Sequence, residues 1–443
     1  MSTLPRREFL TSSAATLAAA GAFGVMSEQA IAQSSAASDK LTAVVMGVNG
    51  RGGALCNAFL GQPNVEIAYL ADVDANALGR VTKAVGDKQG KAPLGVIDFR
   101  KALDDKSVDI LICAAPNHWH APATILGCSA GKHVYVEKPC SHNPQEGEWA
   151  VQAARKNKRV VQMGSQRRSY EAIREGIGKL HAGELGRVLY ARTWYANRRP
   201  EIGHGKPATV PTWLNWELWQ GPAPEKPYMD NVVHYKWHWK WHWGNGELGN
   251  NGIHALDVAR WGLGVDYATR VSAGGGKYRW GDDQETLDTH MVVYDFGDRD
   301  ANGKTTDGKT ILWEGLSWTD YGPGGSTFGV SFHGEKGTMV MGDNGYTIFD
   351  EKNKETSKNP GKGDGMAAHV DNFLTCIRGG KGDLPNADIE QGHKSTLLCH
   401  LGNIAARTSS VLTCDPTNGH ILGNEKAAAM WKREYRPGWE PKV

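Results

Sequence analysis

The sequence predicts an α/β protein with two unlike halves: an N-terminal doubly wound parallel sheet, and a C-terminal α+β domain on an open, largely antiparallel sheet. Three observations carry this expectation. Between Leu41 and Met163, short apolar runs alternate with helix-forming stretches of about ten residues, as in a parallel sheet covered on both faces by crossover helices. A glycine-rich turn, Gly47 to Gly53, follows the first apolar run. Beyond residue 165 the runs alternate apolar and polar residues between Gly, Asp and Asn turns, which suits an antiparallel sheet.

In chain order, Leu41–Met46 is the first strand, and the turn after it opens a helix running to residue 60. Val65–Ala71 is the second strand, ending at Asp72, and residues 75–85 form a helix. A strand over 108–115, a helix over 120–130, the strand His133–Val136, a helix over 146–157 and a strand over 160–163 complete this half. In the second half, a helix ending near His181 precedes strands expected over 188–195, 271–280, 287–296, 310–318 and 328–333, and at Gly337–Met341 and Tyr346–Phe349. One face of that sheet is expected to cover a site and the other to meet a second subunit.

At 443 residues the chain exceeds one compact core, so two domains are expected. The formal charge of +2 is too small to imply a nucleic-acid or membrane-surface partner. The seven cysteines include no CxxC and no short Cys/His spacing, so neither a disulfide framework nor a metal site is expected. Arg6-Arg7 before Glu8-Phe9-Leu10, an Ala-rich apolar run to Met26 and the small-x-small site Ala30-Ile31-Ala32 resemble a twin-arginine export signal. The expected divisions are this signal over 1–32, a dinucleotide-binding domain over 40–165, and a substrate and oligomerisation domain over 166–443 whose last helices pack back. The mature protein is then periplasmic or otherwise exported, with no membrane span.

The turn fits a G-x-G-x-x-G fingerprint at Gly47, Asn49 and Gly52, with Asn in the middle place and Gly50 beside it. Asn tolerates positive φ, which keeps the turn feasible. Asp72 follows Gly47 by 25 positions, at the end of the second strand. A carboxylate there accepts ribose hydroxyls and repels a 2′-phosphate, favouring NAD over NADP. The candidate cofactor contacts are Gly47, Asn49, Gly50, Arg51, Gly52 and Asp72, then Pro116, Asn117, His120, Glu137, Lys138 and Gln166 at later strand ends. A lysine aimed into such a cleft loses solvation and becomes a usable acid/base.

The segments Gly47–Gly52, Asp72, Pro116-Asn117-His118-Trp119-His120 and Glu137-Lys138-Pro139 resemble the glucose–fructose oxidoreductase/inositol dehydrogenase/MocA family. Gly246 to Asp257, His369 to Arg378 and Glu390-Gln391-Gly392-His393 agree with its C-terminal half. The resemblance implies that Lys138 bonds the reacting hydroxyl and that His254 accepts its proton. It also implies a dimer or tetramer. Family members carry an aspartate four residues before that histidine; here it is Asn250, and Asp257 is the candidate substitute.

Arg167, Tyr195, Trp237, His238, Trp239, Asn250 and His254 are the candidate substrate contacts. Seven of the sixteen tryptophans fall between Trp213 and Trp243. Strict alternation from Tyr235 to Trp243 predicts an extended segment with four Trp on one side and Lys236, His238, Lys240 and His242 on the other. The indoles then serve either as a platform for sugar rings or as packing for a core or dimer contact. Arg198-Arg199 is expected on a solvated face. The implied activity is NAD-dependent oxidation of a secondary hydroxyl on a sugar or polyol, with the cofactor tightly held because free NAD is scarce outside the cytoplasm. The alternatives are an NAD-dependent glycosidase or lyase that oxidises a ring hydroxyl transiently, and a non-catalytic carbohydrate-binding protein on the same fold.

Overall fold

The computed structural model describes residues 40–297, 307–363, 365–379 and 382–443; the expected export signal over 1–32 lies outside the described residues. The first half is a six-stranded parallel sheet of β1 (Leu41–Met46), β2 (Val65–Ala71), β3 (Leu94–Val96), β4 (Ile110–Cys113), β5 (His133–Val136) and β6 (Val161–Met163). Its order is β3-β2-β1-β4-β5-β6, so the winding reverses between β1 and β4. The crevice at the carboxyl ends there is where doubly wound sheets bind ligands. Ala43, Val45, Ile110 and Ile112 on one face and Val44, Leu111 and Cys113 on the other are wholly buried, which is why these strands read as unbroken apolar runs.

Five helices connect the strands: α1 (Arg51–Leu60), α2 (Ala75–Gln89), α3 (Arg100–Leu103), α4 (Asn117–Ser129) and α5 (Pro144–Lys156). Asp74 caps α2 by accepting from the N–H groups of Asn76 and Ala77, and Asn143 caps α5. Helices α1 and α4 begin at the crevice without a side-chain cap.

After α6 (Glu171–His181) the second sheet begins with β7 (Val188–Ala196). Next come α7 (Trp216–Gln220), α8 (Ile253–Leu263), β8 (Arg270–Gly276), β9 (Thr289–Phe296), β10 (Lys309–Leu316), β11 (Phe328–Gly334), β12 (Gly337–Met341), β13 (Tyr346–Phe349) and β14 (Glu355–Asn359). The helices α9 (Met366–Gly379) and α10 (Ile389–Thr408) precede β15 (Leu412–Cys414) and β16 (Ile421–Leu422). The ten strands lie in the order β14-β13-β12-β11-β7-β10-β9-β8-β15-β16. β7 and β10 pair parallel; the other neighbours run antiparallel. The sheet is open and largely antiparallel, as the alternation predicts.

Helices α8 and α10 cover one face of this sheet; Tyr294 of β9 donates to the carbonyl of Leu398 at 2.9 Å. Helix α9 turns back to the first half, where Val370, Phe373 and Leu374 join Leu55, Phe59 and Tyr135 in one core. The C-terminal helices therefore lock the two sheets together. All seven cysteines are buried and unpaired, and among the described residues no helix is long and apolar enough to cross a membrane.

The expected extended segment from Tyr235 to Trp243 does not form. Lys236–Trp239 is a 3₁₀ turn, because the indoles point to different partners. The Trp237 indole donates to the carbonyl of His234 at 2.8 Å, while Trp243 packs edge-on against Trp216 and Trp219 at 5.8 and 5.3 Å. Trp216, Trp219, Trp237 and Trp243 share a small buried core with Leu214, Ala223 and Val232. Core packing is thus the main use of these rings, and it shapes a wall over the crevice.

Candidate active site

At the end of β1 the chain turns through Gly47 (φ 78°) and Gly50 (φ 56°). Asn49 takes neither left-handed position; the residue beside it supplies the second one. Gly52 lets α1 approach β1, since an added Cβ would lie 1.8 Å from the Gly47 carbonyl oxygen. The first turn of α1 thus opens, uncapped and without acidic residues, at the crevice, an arrangement suited to pyrophosphate. Asp72 receives the N–H of Val48 at 2.7 Å and of Asp74 at 2.9 Å, leaving lone pairs for ribose hydroxyls. Burial pushes its carboxyl above the ordinary range.

Gly47, Asn49, Gly50, Arg51 and Asp72, though not Gly52, line a cavity of about 590 Å³ that continues past Pro116, Asn117 and His120 to Glu137, Lys138, Gln166, Asn250 and His254. Its outer wall is Leu214, Leu218, Trp219, Val233, His234, Tyr235, Trp237 and His238. This wall is anchored on the first sheet, where the N–H of Ala75 donates to Trp213 and the N–H of Asn215 to Val73, both at 2.9 Å. The described residues fit a dinucleotide, with a phosphate cradle at one end and titratable groups at the other.

At the far end, Arg51 donates to Glu137 at 2.7 Å. Burial pushes the Glu137 carboxyl up, but Arg51 and Lys138 outweigh that and hold it below the usual range. His120 spans the neighbouring loops, its ring nitrogens 2.7 Å from the carbonyl oxygen of Ala115 and 2.6 Å from that of Pro139. Lys138 Nζ donates to the Asn250 carbonyl oxygen at 2.6 Å and to Asn250 Oδ1 at 3.1 Å. Asn250 lies within a π-helical turn, Leu248–Gly252, that leads into α8, a local irregularity that recurs at functional sites. Burial lowers the Lys138 ammonium below the ordinary lysine value. Burial, with Lys138 nearby, holds His254 well below the usual histidine range, so its ring is neutral. His254 Nδ1 has no hydrogen-bond partner among the described residues.

Four candidates lie elsewhere. Asp257 is not a substitute for the missing aspartate: it is buried in an ion pair with Arg168 at 2.9 Å and also accepts from Ser395 at 2.6 Å. That pair is structural, and Arg168→Met, which removes the arginine bonded to the buried Asp257, should cost about 3–5 kcal/mol, seen as a lower urea midpoint. Arg167 bonds Gly342 and Asp343 and covers the Phe328 ring at 3.9 Å. Tyr195 accepts from Asn197 at 2.8 Å, and Trp239 is buried beside Arg199. None of these three is on the cavity wall.

Two residues were missed. Arg199, expected on a solvated face, makes a two-pronged pair with Glu247 at 3.0 and 3.2 Å, and the Glu247 side chain is only 4% exposed. Glu247 Oε1 also accepts from Asn250 Nδ2 at 3.5 Å and from Asn251. The available signal was its place one helical turn before Asn250.

Residues 41–165 match the Gfo/Idh/MocA oxidoreductase family, NAD-binding Rossmann fold. Residues 194–283 match the same family's C-terminal alpha/beta domain. A glycosyl hydrolase family 109 protein of Saccharopolyspora erythraea is 30% identical over 200 residues, 42% of this chain and 43% of that protein. An inositol 2-dehydrogenase of Salmonella typhimurium is 30% identical over 140 residues, 31% of this chain and 40% of that protein. The chain therefore aligns with less than half the length of these curated relatives. Among solved structures, the WlbA dehydrogenase from Bordetella pertussis in complex with NADH and UDP-GlcNAcA is similar in fold. The TM-score is 0.64 at 19% identity, over 85% of this chain and 99% of that one. One match begins on the first sheet and the other on the second, in the order the chain lays them down, so both halves of the chain are similar to the Gfo/Idh/MocA oxidoreductases.

Proposed function

We propose that the protein is an exported, NAD-dependent oxidoreductase acting on a secondary hydroxyl of a sugar or polyol, with the cofactor tightly held. The observation that carries the reading is one cavity wall bearing both the glycine turn and, beyond it, Lys138 and His254. A bound nicotinamide supplies the hydride acceptor or donor. The chain itself manages the proton. Two of the three Lys138 N–H donors are committed to Asn250, and the third serves the reacting oxygen, where positive charge favours the alkoxide. The neutral His254, with its unpartnered Nδ1, accepts the hydroxyl proton. The wall from Leu214 to His238 adds lining opposite the glycine turn, and tight retention of the cofactor and a homo-oligomer built on the uncovered sheet face belong to the same reading.

A redox-neutral glycosidase or lyase is the second reading, favoured by the glycosyl hydrolase family 109 relative. One experiment separates them. Protein purified from the periplasm should release NAD(H), identified by absorbance and mass. Without added NAD it should interconvert sugars or polyols in pairs and release no phenol from aryl glycosides. Phenol release would instead establish the second reading, and purified protein that neither carries nor binds NAD would remove both.

A further inference from the structure

Every carboxylate near Lys138 is already paired with an arginine. Glu137 is held by Arg51 at 2.7 Å, and Glu247 by Arg199 at 3.0 and 3.2 Å. The second pair reaches Lys138 only through the Asn250 side chain, whose Nδ2 faces Glu247 Oε1 at 3.5 Å and whose Oδ1 faces Lys138 Nζ at 3.1 Å. Both contacts fix the same orientation of the amide, because only nitrogen can donate to the carboxylate and only oxygen can accept from the ammonium. An aspartate at 250 would instead set two like charges side by side.

We propose that the Arg199–Glu247 ion pair is a positioning device for Lys138, acting through the Asn250 amide in place of a carboxylate in direct contact with the reacting lysine. The inference rests on the reading of Lys138 as the donor to the reacting oxygen, whose charge state sets how strongly it favours the alkoxide. A carboxylate touching the lysine would keep it permanently charged. An amide orients it without adding charge, and Arg199 cancels the field of the carboxylate behind. The charged and titratable groups facing Lys138 are then Arg51 of α1, Glu137 beside it, Glu247 before the π-helical turn and Arg199 after β7, with His120, His238 and His254 around them. Burial lowers the ammonium, Glu137 and Glu247 raise it, and Arg51 and Arg199 lower it.

The two partners should therefore shift Lys138 in opposite directions. Arg199→Met leaves Glu247 uncancelled, favours the ammonium and should raise the pH at which Lys138 loses its proton by roughly one unit. Glu247→Gln leaves Arg199 uncancelled and should lower it by a similar amount. The readout is competitive acetylation of Lys138 by acetic anhydride across pH, followed by peptide mass spectrometry on the full-length protein, alongside the pH profile of kcat. A purely structural pair would move both variants the same way or neither, and either result overturns the inference. Because removing one buried partner can unfold the protein, the double variant Arg199→Met/Glu247→Leu is the second test. It keeps the site neutral, so the Lys138 titration should stay near wild type while kcat falls at least about tenfold from loss of amide orientation; unchanged kcat overturns the inference. Retained turnover in Lys138→Ala would remove the reading of Lys138 as the donor to the reacting oxygen. An inactive Lys138→Ala with unmoved titrations in the pair variants removes only the positioning role.

Discussion

Lys138→Ala should lower kcat by about a thousandfold, within the range general acid–base groups supply, while the NAD-dependent rise in melting temperature survives. The two effects separate because the groups differ. Pyrophosphate is expected at the turn of Gly47 and Gly50 and ribose at Asp72, while the Lys138 ammonium is bonded to Asn250. Removing the ammonium costs the reacting oxygen its donor and positive neighbour, and leaves His254 to take the proton without that support. A thousandfold loss corresponds to about 4 kcal/mol of transition-state stabilisation. Stopped-flow hydride transfer and differential scanning fluorimetry with NAD read the two quantities independently. Turnover within tenfold of wild type would move the acid/base role to another residue.

The first sheet was legible because its buried strands are mostly apolar runs and its helices are bounded by turn residues. Leu41–Met46, Val65–Ala71 and His133–Val136 carry the same bounds in sequence and structure. What escaped was short or polar. β3 is three residues at a sheet edge with Leu94 59% exposed, and β14 reads Glu-Thr-Ser-Lys-Asn, with no apolar alternation to reveal it. The tryptophan run misled for a different reason. Alternation over nine residues is equally compatible with a turn whose indoles enter one small core from several directions.

The site divides along the same line. Gly47, Asp72, Lys138, Asn250 and His254 stand at strand or helix ends, so local pattern places them on the cavity wall. Arg199 and Glu247 are 48 positions apart, and only the path of the chain between β7 and α8 brings them together. Asp257 follows His254 by three positions, yet its carboxylate is claimed by Arg168 and Ser395, partners that no local spacing predicts.

Gly52→Ala should abolish the NAD-dependent melting shift. The added Cβ would lie 1.8 Å from the carbonyl oxygen of Gly47 and 2.8 Å from its carbon. Both are backbone atoms, so no rotamer change relieves the overlap. The first turn of α1 must draw away from β1, and its uncapped N–H groups then no longer converge where the pyrophosphate is expected. NAD affinity should fall at least about a hundredfold, equivalent to about 2.7 kcal/mol, and the cofactor-free protein should lose about 1–3 kcal/mol through overpacking. Gly53→Ala is the control, since its nearest neighbour is the Val48 carbonyl oxygen at 3.3 Å and alanine favours the helix. Isothermal titration with NAD, set beside urea unfolding of both variants, distinguishes loss of the phosphate seat from general destabilisation. A Gly52→Ala protein that binds NAD as tightly as the Gly53→Ala protein would show that the pyrophosphate does not rest on this helix.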